Sequence, residues 1–344
     1  MRAVAKLAKA EASVGVIDAA TPEAGPGEIL LRVAAAGICG TDMAIYDWAP
    51  RMQARVAPPR ILGHEATGRI EAVGPGVAGL AIGDRVSLES HIFCGACRYC
   101  RRGDAHLCQH LAYPGISIDG GFAELATVPA QIARVVPDCL DDKIAAMIEP
   151  FGIAVHACMA QRGVSGRTVL VNGCGPIGLM TVAAARALGA RRILAADPNP
   201  LRLNLAADLG ADATVDPGSA DVVEAARTMT DGFGVEVAIE YSGVGSGLDA
   251  VLAATERMGD IRLVAGPKLP HAIDVNALLR TGVSIYGIHG RRLWQDWDLG
   301  VELLADGRVD ISALADPVLP LERAVEGFEA IKAGKALKPI LLPR

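Results

Sequence analysis

Apolar positions along the chain follow two different rhythms, and the change falls at Pro150. Before it, short apolar runs are cut by glycine and proline. MRAVAKLAKA at the amino end reads as an edge strand and EILLRVAAA (28–36) as another. ATGRIEAVGPGVAGLAIGDRVSL (66–88) reads as further short strands parted by PG and GD turns. GFAELATV (121–128) continues that character. Such punctuation predicts an all-β, barrel-like unit with little room for long helices.

After Pro150, strands alternate with helices. TVLVN (168–172) is a short apolar strand, followed by the turn GCGPIG and an Ala-rich helix over about 176–188. A second strand, RRILAAD, ends at Asp197. A helix over 200–209, strands at 213–215 and 235–240, a helix at 246–257, and the strands DIRLVAG and VSIYGI (283–288) come next. This alternation describes an α/β unit, a parallel sheet wrapped on both sides. The tail holds helices near 296–307 and 321–333 and a last strand at KPILLP. At 344 residues the chain exceeds what one core usually accommodates, so two domains are expected.

Composition narrows the classes. With 51% apolar and 21% charged residues, nothing resembles a disordered or fibrous chain. A net charge of -6 excludes nucleic acid as a principal partner, because a phosphate backbone needs a basic footprint. Arg101-Arg102 is too short to be one. The amino end lacks a secretory core, and apolar stretches are interrupted before reaching membrane-spanning length. No membrane partner and a cytoplasmic location are the expectations.

Gly173, Gly175 and Gly178, with Pro176 and Ile177 between the last two, form G-x-G-x-x-G after a strand and at the start of a helix. That context fits a dinucleotide-binding turn, with pyrophosphate at the helix amino end. Asp197 lies 22 residues beyond Gly175, at the end of the next strand. Its carboxylate suits the adenosine ribose hydroxyls and repels a 2'-phosphate, favouring NAD(+), while Arg202 leaves NADP open.

Cys94, Cys97, Cys100 and Cys108 have the spacing C-x2-C-x2-C-x7-C. Four thiolates close a tetrahedral shell around zinc and leave no open position for substrate. An iron–sulfur cluster, or unliganded thiols or disulfides, are the competing readings. Cys39 in AGICGTD, His64-Glu65 in GHEATG and Glu149 in IEPFG offer a second, mixed donor set that suits a zinc with one open position.

GICGTD, GHEATGRIEAVGPGV, GDRV, the spaced cysteines, GGFAE, GCGPIGL and Asp197 together resemble the medium-chain, zinc-containing alcohol dehydrogenase family over essentially the whole chain. The resemblance implies a GroES-like catalytic domain over 1–150 and a Rossmann-like NAD-binding domain over 151–290. The tail, 291–344, would return to the catalytic domain. It implies two zinc ions per chain, one structural and one catalytic. Cys39 and His64 would hold the catalytic ion, Glu149 would complete the set, and Glu65 would either ligate or support it. The expected chemistry is oxidation of a small secondary alcohol, zinc acting as Lewis acid and NAD(+) accepting hydride. Thr41 would hydrogen-bond to the substrate oxygen and begin a proton path. The family implies a homotetramer, with a dimer as the alternative.

GTDMAIYDW, ESHIFCGAC, EPFGIAVH and GIHGRRLWQDW resemble the threonine dehydrogenase branch, which makes His91 a substrate or proton-relay residue. On its own His91 reads equally as a loop histidine. Three positions depart from that branch: Ala44 where relatives carry a relay histidine, Ile153 where an asparagine is usual, and Ala49 where an acid follows Trp48. These losses leave oxidation of a polyol, a sugar or another hydroxy compound as the alternative. A non-catalytic NAD(H)-binding zinc protein is the reading from a different class.

Overall fold

The computed structural model describes residues 1–343. Two compact units form, one of Met1–Pro150 with Ile311–Arg344 and one of Phe151–Asp310.

In the first unit, strand Glu28–Gly37 pairs antiparallel with Glu65–Val73 on one side and Leu125–Pro129 on the other. Arg85–Leu88 and Ala133–Val135 extend the sheet in one direction, and Ile340–Leu342 with Val318–Pro320 in the other. Ile29, Leu31 and Val33 alternate inward and bury against Ile70, Val86, Ala126 and Val128. Gly68 allows a bulged crossing in this sheet, because a Cβ there would lie 2.0 Å from the Arg32 carbonyl oxygen.

The amino-terminal strand is not an edge. Arg2–Lys6 lies between Val14–Asp18 and Arg60–Ile61 in a three-stranded sheet, with Ala3, Val4 and Ala5 fully buried. Its lysine misleads the eye. Lys6 is buried, donates to the carbonyls of Ala10 and Tyr46, and lies over the Trp48 ring.

In the second unit, six strands form one sheet in the order Ala213–Val215, Arg192–Ala196, Thr168–Asn172, Val235–Glu240, Thr255–Leu263, Ser284–Gly287, all parallel. This is the doubly wound order, whose strand direction of growth reverses beside Thr168–Asn172. All five residues of that strand are buried, as expected for a strand covered on both faces.

Residues 291–310, expected to return with the tail, belong instead to the second unit. Helix Gln295–Ala305 buries Trp297, Leu303 and Leu304. Its Gly300 lets it close on Phe151 and Val155 of helix Ile148–Met159. The return to the first unit begins at Ile311. Among the described residues no helix is long and apolar enough to cross a membrane.

Gly68→Ala is expected to destabilise the first unit by about 2 kcal/mol, since backbone and not a flexible side chain blocks the new methyl. Calorimetry should show a fall of roughly 4–8 °C. Gly287→Ala, whose Cβ meets nothing within 4 Å, should leave the midpoint nearly unchanged.

Candidate active site

The mixed donor set is assembled by strand register. Gly37 pairs with Glu65 at the end of the central ladder, so Cys39, just past one strand, meets His64 and Glu65 at the start of the other. One ligand atom from each of Cys39, His64 and Glu65 lies within 4.8 Å of the others. Cys39 caps helix Gly40–Tyr46, and its N–H donates to Asp42 Oδ2 at 2.9 Å. The other Asp42 oxygen lies 3.8 Å from His64 Nδ1. Lys338 reaches in from the carboxyl end of the chain, pairing with Glu65 and donating to the Ile38 carbonyl at 3.2 Å.

Charge in this pocket is unbalanced toward the negative. Burial disfavours a charged His64, yet Asp42, Cys39 and Glu149 outweigh it and raise the imidazole well above its ordinary range. Lys338 follows the same logic, burial opposing its charge while Glu65, Cys39 and Glu149 raise its pKa. Burial also lifts the Glu65 and Asp42 carboxyls, against Lys338 and His64 respectively. Among the described residues, Asp42 Oδ1, His64 Nδ1 and Glu65 Oε1 are buried without a hydrogen-bond partner. Sulfur, nitrogen and oxygen donors in an anionic, largely buried setting fit a divalent zinc.

Glu149 is not among the three atoms at ligand spacing. It is buried, its Oε1 accepts from Ser90 Oγ at 2.5 Å, and its charge reaches both His64 and Glu65. The structure thus brings Glu65, rather than Glu149, to Cys39 and His64. Thr41 is half-buried in the first turn of Gly40–Tyr46, and Ala44 is buried in the core. His91 is buried beside Glu89, Ser90 and Tyr113. Sequence reading missed Asp42, Glu89, Ser90 and Lys338. The GTD and ESH contexts could have raised the first three, but nothing local marks Lys338.

The four cysteines form the other cluster, on a loop carrying the short helix Arg98–Arg101. Their sulfurs stand 3.5 Å (Cys97–Cys100), 3.9 Å (Cys97–Cys108) and 4.0 Å (Cys94–Cys100) apart. Sulfurs about 2.3 Å from a tetrahedral zinc are separated by about 3.8 Å, so the cage is sized for one ion. A multi-iron cluster needs wider thiolate spacing, and none of the cysteines is in a disulfide. Gly95 (φ +69°) and Gly103 (φ +86°) make the turns. Backbone N–H groups aimed at sulfur lower the thiol pKa of Cys94 and bring Cys97 down to about 6. Burial and neighbouring thiols push Cys100 up to about 12.

In the second unit, the turn after Thr168–Asn172 leads into helix Pro176–Ala187. Its glycines answer to different demands. A Cβ on Gly173 would meet Ser242 N at 2.7 Å, and one on Gly178 the Gly173 oxygen at 2.0 Å. A Cβ on Gly175 would meet nothing within 4 Å. That space belongs to a cavity of about 620 Å³ lined by Gly173, Gly175, Asp197, Arg202, Ser242 and Gly247, among others. Pro176, Ile177 and Gly178 do not line it. Asp197 accepts from the N–H groups of Cys174 (2.8 Å) and Asn199 (2.9 Å), with Arg202 Nη1 3.6 Å away. Each of its oxygens keeps acceptor capacity for a ribose hydroxyl. An open cradle at a helix amino end and a carboxylate at the next strand's end fit NAD(H).

Cys100→Ser is expected to lower bound zinc from about two ions per chain to about one. Elemental analysis and the thermal midpoint should both register the loss. Cys39→Ser should remove the other ion with the smaller loss of stability.

Known proteins agree with this division. A family model described as the alcohol dehydrogenase GroES-like domain matches residues 25–138, and one described as zinc-binding dehydrogenase matches residues 176–306. The L-threonine 3-dehydrogenase of Pyrococcus furiosus is 38% identical over 340 residues, covering 97% of this chain and 96% of its own. Among solved structures, an alcohol dehydrogenase from Thermus sp. ATN1 matches with a TM-score of 0.91 at 32% identity, covering 100% of both chains. The 2R,3R-butanediol dehydrogenase of Bacillus subtilis matches with a TM-score of 0.91 at 28% identity, covering 100% of this chain and 99% of its own. With both metal clusters and the nucleotide turn in place, the chain belongs to the zinc-type medium-chain dehydrogenase family and is an NAD(H)-linked oxidoreductase acting on CH–OH groups.

Proposed function

We propose that the substrate is L-threonine, or a 2-amino-3-hydroxy acid close to it, oxidised at the secondary alcohol to the ketone. The observation that carries this reading is full-length likeness to an L-threonine 3-dehydrogenase at 38% identity. When bound, zinc supplies Lewis acidity to the alcohol oxygen and NAD(+) supplies the hydride acceptor. Cys39, His64 and Glu65 hold the metal, while Lys338 and Asp42 steady the charges of Glu65 and His64. Glu149, tied to Ser90, stands as an alternative carboxylate. The Thr41 hydroxyl hydrogen-bonds to the substrate oxygen and begins the proton path, since Ala44 carries no titratable group. It passes its own hydrogen on to another group or water as it receives that of the alcohol. Asp197 and Arg202 hold the adenosine end of the cofactor. Cys94, Cys97, Cys100 and Cys108 hold the structural ion.

A polyol, sugar or diol is the second reading. Ile153 and Ala49 put apolar side chains where an amino-acid substrate would find polar ones, and an unpaired ammonium or carboxylate is costly to bury. A homotetramer, with a dimer as the alternative, completes the proposal by family likeness, and a cytoplasmic setting is the default expectation.

The test is a screen of NAD(+) reduction by zinc-loaded protein with L-threonine, its diastereomers, polyols, sugar alcohols and simple secondary alcohols. L-Threonine should give the highest kcat/KM. A polyol or sugar ahead of it by tenfold would replace the substrate and leave the family chemistry standing.

A further inference from the structure

Two separate chain segments line the nucleotide cavity, and a carboxylate that does not line it ties them together. Strands Thr168–Asn172 and Val235–Glu240 run parallel and in register, so their last residues, Asn172 and Glu240, stand side by side. Beyond Asn172 comes the glycine turn. Beyond Glu240 comes a segment whose Tyr241, Ser242, Val244, Ser246 and Gly247 also line the cavity. Helix Gly245–Ala254 starts within it. Asn172 lines the cavity too, whereas Glu240 is buried and does not.

Donors from both segments converge on the Glu240 carboxylate. Its Oε2 accepts from Asn172 Nδ2 at 2.6 Å. Its Oε1 accepts from the backbone N–H groups of Ser242 (2.6 Å) and Gly243 (3.1 Å), and from the Ser242 hydroxyl. Hydrogen bonds to an ionised acceptor are the strong kind. Two further bonds brace the arrangement. Asn172 Nδ2 also donates to the Gly247 carbonyl at 3.3 Å, and Val244 N–H donates to Ser242 Oγ at 3.4 Å. The packing leaves no slack at the meeting point. A Cβ on Gly247 would stand 2.2 Å from Ser242 Oγ and 2.9 Å from Asn172 Nδ2.

We propose that Glu240 is a positioning residue for the cofactor, which presets the cavity wall by gathering Asn172, Ser242 and Gly243 before NAD(H) arrives. A segment rich in glycine and serine has many conformations open to it, and ordering it only on binding would weaken affinity. Glu240 removes that cost by ordering the wall in the free enzyme. Its effect is therefore on cofactor affinity rather than on the alcohol or the metals. The proposal holds for whichever alcohol is oxidised, so it stands or falls apart from the choice of L-threonine.

The test uses zinc-loaded full-length protein. In the cofactor-free wild type, the amides of Ser242 and Gly243 should exchange hydrogen at least about a hundredfold slower than in an unstructured peptide. Exchange at the unstructured rate until NADH is added overturns the proposal, and this readout needs no variant. Glu240→Gln keeps an acceptor for Ser242 and Gly243 but turns an amide NH2 against that of Asn172. It should raise the dissociation constant for NADH, read by fluorescence titration, roughly tenfold. KM for NAD(+) should rise with it, while KM for the alcohol and zinc content stay unchanged. A wild-type dissociation constant in Glu240→Gln, even with a lowered thermal midpoint, marks a purely structural role and overturns the proposal. So does an equal rise in KM for the alcohol. Asn172→Ala removes the same link, so adding Glu240→Gln to it should weaken NADH by no more than about a further twofold. A further loss as large as that of Glu240→Gln alone also overturns it.

Discussion

Gly37 and Glu65 face each other at the end of an antiparallel pair, and that register governs the first unit's chemistry. It sets Cys39 and His64 on neighbouring chain segments although 24 residues lie between them in sequence. It also explains the glycine. A Cβ at position 37 would stand 2.6 Å from Glu65 Oε2 and 3.0 Å from Lys338 Cε, in the space the buried ion pair occupies. A shift by one residue would turn Glu65 to the other face of the sheet and dissolve the cluster.

Burying this many ionisable groups is costly, and a hydrophobic packing of equal volume would hold the sheet as well or better. The cluster is therefore better understood as chemistry that the fold tolerates than as a source of stability. Lys338 and His64 each keep a raised pKa against burial, because the carboxylates and thiol around them dominate. The four-cysteine loop is the opposite case. It contains helices of only a few residues, and a metal would supply what a core does not.

Much of this was legible in the chain before any coordinates. The second unit's strands, and the helices expected between them, fell within a few residues of their expected places because βαβ units are punctuated by local glycine turns and uninterrupted apolar strands. Helices Ile148–Met159, Val222–Met229 and Val275–Thr281 had no counterpart in the sequence reading. The cysteine cage was legible because its four members lie within fifteen consecutive residues. What escaped notice depends on contacts far apart in sequence. Lys338 meets Glu65 across 273 positions, and the polar ends of Arg2–Lys6 disguised a strand paired on both sides. The boundary moved from 290 to 310 because Gly300 packs on Phe151, a fit that hydrophobic rhythm does not encode. Glu89 sat two residues from a histidine already suspected, yet only the folded loop shows it bonded to Nδ1.

The glycines of the turn after Thr168–Asn172 are held by different constraints. Two of its glycines answer to the chain itself, one lying against Ser242 and the other against Gly173, while Gly175 faces only open space. Sequence drift would treat them differently. A descendant that gave up its nucleotide could acquire a side chain at position 175 at once, yet would keep 173 and 178 as glycine for as long as strand and helix held their spacing. A side chain at position 175 would take space from the cavity and leave the turn undisturbed, whereas one at 173 or 178 would press on backbone.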